Sequence, residues 1–432
     1  MDRLPTRVIA AYALPAIPMA ALYFPVFVFL APVWAEAGGL PLAALGAVFV
    51  AVRLLDAVSD PAVGWLSDRT PGRFGRRRPW IAASVPLVAL AVWQLFHPDP
   101  ALGIWGFAGW LAVLTLSWTM FLTPYFAWGA ELSPDYAERG RVTIWRETVT
   151  LTGTILAAIL FSLGGEGVGG LGFIAAFVVL TLPVAVGLAV GVAPEARARR
   201  PAPGAETLIA TWRAEPAFRR LVIAYLVNGA ANGVPATLFL FFVTHRLAAE
   251  GWGGPLLILY FGAGVLAAPL WLWAARRFEK HRIWCVSMIY AAAVFSVVPF
   301  LGPGDVWAFA VICVLTGAAV GSDLALPAAM QADVVDLDTA RGGAPRTGAF
   351  FALWSVATKA ALALAGGAAL IAADLIGFRP EGGSSEAALT GLGALYALSP
   401  VALKLAAVAI MWSFPLDRAA QARVRAEIAE QS

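Results

Sequence analysis

Three ionisable residues inside an apolar run carry the first chemical information in this sequence. In Arg53-Leu-Leu-Asp56-Ala-Val-Ser59-Asp60-Pro61 the charges stand at i, i+3 and i+7, which places them on one helical face. A charge in hydrocarbon costs about 2.5–3.5 kcal/mol on insertion scales, so three on one stripe must face protein or water. Two carboxylates one turn apart repel each other and favour a shared proton or a bound cation. Pro61 has no N–H and frees the carbonyl of Ala57, one more oxygen beside the pair. An acidic, oxygen-rich, desolvated setting is what a small hard cation requires. The other reading of the same residues is a structural ion-pair knot in which Arg53 neutralises one aspartate.

Other charges lie in apolar segments. Arg146-Glu147 opens one of them, and Arg146 either faces a cavity, anchors the segment at the membrane edge or pairs with Glu147. Lys359 stands mid-way along another, as a counter-ion for Asp56 and Asp60 or as a substrate contact. Asp323 lies well inside a third and either pairs with Lys359 or faces a cavity. The stretch Asp68–Trp80 is rich in arginine. It sets topology and contacts anionic lipid, or acts as a latch whose arginines pair with Glu131, Asp135 or Glu138 in one conformation and release them in another.

These residues need long apolar elements to position them. The chain has 432 residues, 60% hydrophobic and only 13% charged, with a mean hydropathy of +0.78. Ordinary soluble domains are about 25% charged, so a soluble enzyme, a disordered chain and a disulfide-rich secreted module are excluded. Twelve apolar runs are each long enough to cross a bilayer, which takes about 20 residues: 8–34, 42–66, 80–96, 102–130, 142–163, 171–193, 221–245, 255–275, 283–301, 306–332, 348–376 and 389–414. They are continuously apolar rather than alternating, so they are helices and not barrel strands. The run 8–34 is too long for a signal-peptide core and reads as a retained first span. Cys285 and Cys313 sit in apolar runs as small hydrophobes. His97, His245 and His281 share no spacing, which argues against a metal site and against a membrane-embedded enzyme.

Lys and Arg are split very unevenly between the two sets of alternate connections, 24 against 2 of the 30 in the chain. The positive-inside rule then places both termini in the cytoplasm of a multi-pass inner (plasma) membrane protein. The net charge of +3 belongs to those loops and implies no nucleic acid. The expected organisation is a six-helix bundle over 1–193, a cytoplasmic linker over 194–220, a second bundle over 221–414 and a tail over 415–432. A faint internal repeat supports it: Asp68-Arg69 with Arg73 and Arg76–Arg78 after the second run, Arg276, Arg277, Lys280 and Arg282 after the eighth. Pro124…Glu131…Asp135…Arg139 is likewise matched by Pro327…Asp333…Asp336…Arg341. Two matching halves are the layout of a transporter of the major facilitator fold, all-α with 12 spans.

The residues Arg53…Asp56…Asp60-Pro61…Gly64…Asp68-Arg69-Thr70…Arg73-Phe-Gly75…Arg78-Pro79-Trp80 resemble the glycoside–pentoside–hexuronide:cation symporter family, the melibiose-permease-like branch of the major facilitator superfamily. Pro124-Tyr125, Glu131-Leu-Ser-Pro-Asp135-Tyr136…Glu138-Arg139, Arg146, Ala332-Asp333-Val-Val-Asp336 and Lys359 extend the likeness over residues 8 to 414. The resemblance implies a cation site at Asp56, Asp60 and Thr119, with Ser59 where melibiose permease has an asparagine. Arg146 and Lys359 match the family's cavity residues, and the expected substrate cavity also includes Arg53, Tyr125 and Asp323; the expected cytoplasmic gate is Asp68, Arg69, Arg73, Glu131, Asp135 and Arg139. The family's sugar-binding aspartates are replaced by Ala20 and Leu122, and an aromatic sugar contact by Leu324.

The expected function is uptake of a small solute of the sugar, glycoside or hexuronide class, coupled to Na⁺ or H⁺ by alternating access. The alternative is a cation-coupled transporter of an anionic or lysolipid-like amphiphile, because the cavity keeps positive charge but loses acidic acceptors. A non-transporting membrane sensor is a remote third. No cofactor and no metal beyond a coupling Na⁺ are implied, and the expected partners are the solute, the cation and membrane lipid around a monomer.

Overall fold

A computed structural model describes residues 4–70, 74–133, 136–195, 205–341 and 347–431. Every regular element among them is helical. Among the described residues, twelve helices are long and apolar enough to span a bilayer: Thr6–Val28, Leu42–Arg69, Arg78–Phe96, Pro100–Gly129, Arg141–Leu163, Gly167–Val192, Pro216–Arg246, Gly253–Ala275, Lys280–Phe300, Val306–Asp338, Val356–Leu375 and Glu386–Met411. They are called the first to twelfth spans below. Large apolar side chains stand outside: Trp105, Leu266 and Phe300 are 86%, 82% and 84% exposed. In water, such surface would drive aggregation; in lipid it is the solvent-compatible face.

The chain divides into two compact units. One is Met1–Ala202 with Gly253–Pro255 and Arg379–Gly383, and the other is the remainder. In the first unit the first span packs on the fifth and sixth, and the third on the fourth and sixth. In the second unit the seventh span packs on the eleventh and twelfth, and the ninth on the tenth and twelfth. The same pairing pattern thus recurs six spans later, which is what an internal repeat predicts. The second and fourth spans also pack together, which is how Asp56 and Thr119 come to meet.

Lipid offers no hydrophobic drive between helices, so small residues and shape decide the packing. At Gly153, a Cβ would lie 2.4 Å from the carbonyl oxygen of Ile17, so only glycine lets the fifth span approach the first. At Gly317, a Cβ would lie 2.2 Å from the carbonyl oxygen of Tyr260, and the tenth span meets the eighth in the same way. The core of the second unit is a cluster around Phe218, Leu221, Trp284, Met288, Phe350 and Met411.

Several elements differ in extent from the sequence reading. The run 8–34 is a helix in three pieces, Thr6–Ala13, Ala16–Val28 and Leu30–Glu36, interrupted beside Pro15 and at Phe29. The second helix runs on to Arg69 and the tenth to Ala340. Polar last turns that water can solvate extend both beyond their apolar cores.

Candidate functional site

The second span places Asp56, Ser59 and Asp60 within one helical turn, and the fourth span brings Thr119 against them. Thr119 is fully buried. Its hydroxyl lies 3.0 Å from Asp60 Oδ1 and 3.3 Å from Asp56 Oδ1, so a single donor sits between two carboxylates. Arg53 donates to Asp56 Oδ2 in an i, i+3 ion pair, and its guanidinium lies 5.1 Å from the centre of the Phe27 ring. Its Nε is buried without a hydrogen-bond partner. The Ser59 hydroxyl donates to the carbonyl of Asp56 at 3.4 Å and keeps its own lone pairs as acceptors. Asp56 is thus tied to Arg53, and Thr119 links it to Asp60.

The proposed cavity residues do not behave alike. Arg146 donates through Nε and Nη2 to Glu147 Oε1 at 3.1 and 2.6 Å, and stacks 4.3 Å from the Phe126 ring centre. The partner reading of Arg146 is the one observed, and the Glu147 side chain is 57% exposed. Tyr125 is fully buried. Its hydroxyl donates to the carbonyl of Tyr12 at 2.7 Å, the Tyr12 hydroxyl donates to the carbonyl of Tyr125 at 3.0 Å, and the rings stack at 4.6 Å. A phenol that must satisfy its hydroxyl inside a bundle takes a backbone carbonyl where one is in reach. Lys359 is half-buried next to Thr358, whose hydroxyl lies 3.4 Å from that of Tyr225.

Asp323 takes partners that sequence reasoning did not foresee. Oδ1 accepts from the Trp284 indole at 2.7 Å; Oδ2 accepts from Asn232 at 3.1 Å and from Lys404 at 3.3 Å. Lys404 also donates to Asn228 Oδ1 at 2.9 Å. Asn228 and Asn232 stand one turn apart in the apolar seventh span and Lys404 lies inside the twelfth. Those three positions were the available signal.

At the arginine-rich ends, Arg77 contacts Asp68 and donates to Ser67 Oγ at 2.8 Å and Glu131 Oε1 at 3.1 Å. Arg76 lies 3.5 Å from Glu131. Glu195, which sequence reasoning missed, accepts from the backbone N–H groups of Arg76 and Arg77 at 2.8 and 3.2 Å and pairs with Arg78 at 3.2 Å. Glu138 instead pairs with Arg141. Arg69 is exposed and lies 4.1 Å over the Trp65 ring, away from these carboxylates. Arg73, Asp135 and the side chain of Arg139 lie outside the described residues. In the second unit, Lys280 donates to both carboxylate oxygens of Asp333 at 2.9 and 2.7 Å, and Arg341 pairs with Glu215 at 2.7 Å. Burial raises the Glu215 carboxyl above its ordinary range, opposed by Arg341.

The family model described as MFS/sugar transport protein matches residues 11–418. This chain belongs to that family. The chain is 28% identical to the mouse (Mus musculus) sphingosine-1-phosphate transporter MFSD2B over 69% of its length, and that match spans 66% of the mouse protein, just under two thirds. It is 26% identical to the sodium-dependent lysophosphatidylcholine symporter 1 of Gallus gallus, over 84% of this chain and 78% of that one. A solved structure of a bacterial homologue of the human drug peptide transporters PepT1 and PepT2 superposes with a TM-score of 0.70 at 14% identity, covering 95% of this chain and 98% of that one. At that identity the likeness concerns the fold, which is that of a major facilitator transporter. The family assignment makes the chain a multi-pass membrane transporter; whether it belongs to the melibiose-permease-like branch is a finer question.

Proposed function

We propose that the protein is a cation-coupled symporter whose ion site is Asp56, Asp60 and Thr119, with Ser59 as an additional oxygen. The observation that carries this reading is the Thr119 hydroxyl set between the carboxylates of Asp56 and Asp60. Two carboxylates held one helical turn apart favour a bound Na⁺ or a shared proton, and ion binding then shifts the balance between access states. In this reading both termini and the arginine-rich ends are cytoplasmic, and the Asp68–Arg77–Glu131 group forms part of the gate on that side. Arg146 and Lys359 supply positive charge to the substrate path.

For the cargo, the amphiphile reading is preferred to the sugar reading. Two relatives matched over most of this chain are named for sphingosine 1-phosphate and lysophosphatidylcholine. Ala20 and Leu122 stand where the resembling family has sugar-binding aspartates. The test is uptake into proteoliposomes under an imposed Na⁺ or H⁺ gradient, with a lysophospholipid and a galactoside as alternative cargoes. Gradient-driven accumulation of the lysophospholipid that is lost in Asp60→Asn supports the reading. Full accumulation in that variant refutes the coupling site, and accumulation of the galactoside alone refutes the cargo assignment.

A further inference from the structure

In the second unit, three N–H donors from three different spans converge on one carboxylate. Trp284 of the ninth span, Asn232 of the seventh and Lys404 of the twelfth all donate to Asp323 of the tenth, at 2.7, 3.1 and 3.3 Å. Asn228 holds the Lys404 ammonium from its other side at 2.9 Å. An indole N–H and an ammonium have no acceptor capacity, so this pocket can only be satisfied by lone pairs. A convergent set of donors including one cation is the chemistry that recognises an oxyanion. The carboxylate that fills it belongs to the protein itself.

We propose that Trp284, Asn232 and Lys404 form an oxyanion subsite for the cargo, which Asp323 occupies in the cargo-free state. The ligand is the carboxylate or phosphate group of an anionic or zwitterionic solute. A purely structural ion pair is worth little in a membrane unless every partner is satisfied. Here the Asp323 and Lys404 side chains remain 13% and 12% exposed, so the pair lies at the edge of the packed core. Displacement of Asp323 by cargo preserves the donor count, and the displaced carboxylate takes up a proton or water in place of the three donors it gives up. The subsite lies wholly within one unit and is separate from the cluster around Asp56. This inference deepens the transport reading and rests on it, but its test needs no ion gradient.

The full-length protein is placed in nanodiscs and titrated by calorimetry with hexyl phosphate, inorganic phosphate, glucuronate and the neutral hexyl glucoside. Wild-type protein is expected to bind at least one oxyanion more tightly than hexyl glucoside. Asp323→Asn removes the internal competitor and is expected to tighten oxyanion binding about tenfold, equivalent to about 1.4 kcal/mol. Lys404→Gln is expected to abolish the preference for the anion. Binding of hexyl phosphate alone assigns the subsite to an amphiphile headgroup, and binding of inorganic phosphate or glucuronate as well assigns it to the oxyanion by itself. If Asp323→Asn fails to fold, the charge-neutral double variant D323N/K404Q is compared with wild type, and loss of the anion preference is expected. An unchanged preference in the double variant, or no tightening in a folded Asp323→Asn, overturns the proposal. Loss of coupling in Asp60→Asn with oxyanion binding intact separates the two readings.

Discussion

Each unit holds a polar cluster among its apolar spans, and the two clusters differ in the groups they bring together. Around Asp56, one hydroxyl reaches two carboxylates, and a guanidinium pairs with the first of them. Around Asp323 there are one carboxylate, one ammonium, two carboxamides and an indole, and the charges cancel. Two carboxylates close together in a low-dielectric setting favour a bound cation or a shared proton. A carboxylate already met by an ammonium and two further donors favours neither. The first cluster draws on the second and fourth spans and the other on the seventh, ninth, tenth and twelfth, and the two proposals give them ligands of opposite charge.

That contrast can be broken most severely with Asp60→Asn, which leaves the first cluster with one carboxylate, as in the second. Gradient-driven accumulation of cargo in proteoliposomes should fall to simple equilibration, while the amount of protein inserted stays the same. Arg53→Gln moves the other way and takes the guanidinium from Asp56. The ion concentration for half-maximal uptake should drop about tenfold, the equivalent of about 1.4 kcal/mol. A rise instead would mean that Arg53 builds the site rather than occupying it. Thr119→Val leaves the charge count untouched and removes one hydroxyl. Half-maximal ion concentration should rise by about fivefold, as expected for a hydrogen bond of about 1 kcal/mol, with maximal uptake rate little changed. The smallest effect is expected away from both clusters. Glu131→Gln removes the charge facing the buried Arg77 guanidinium, so it should lower the thermal midpoint of the purified protein while the half-maximal ion concentration stays unchanged. A large change in the transport rate there would promote this end of the bundle to a rate-setting gate.

Twelve spans, their helical character and the acidic face of the second span were legible because hydropathy and the cost of buried charge act on every residue of a run. The second span needed only the i, i+3, i+7 spacing of Arg53, Asp56 and Asp60 to be read as one face. What could not be read was which residue on another helix completes a group. Asp323 was read as pairing with Lys359 or facing a cavity, and its partner is Lys404, 81 residues further along the chain. Tyr125 carried the composition of a cavity residue, but a carbonyl of Tyr12 at 2.7 Å captured its hydroxyl inside the packing. Glu195 had no local pattern at all, since its ligands are the backbone N–H groups of Arg76 and Arg77. Spacing within a helix reports its own face; contacts between helices depend on register and tilt.

The first span deserves a mechanical reading. Its lowest piece carries Tyr12, locked by reciprocal hydrogen bonds to the fourth span; its middle piece offers the Ile17 carbonyl to Gly153 of the fifth; its last piece donates from the Trp34 indole to the Leu95 carbonyl of the third at 2.7 Å. Two interruptions, beside Pro15 and at Phe29, separate these attachments. The two joints divide this stretch into three pieces that all pack on the sixth span, so the sixth span is the common backing for anchors that reach separately to the third, fourth and fifth.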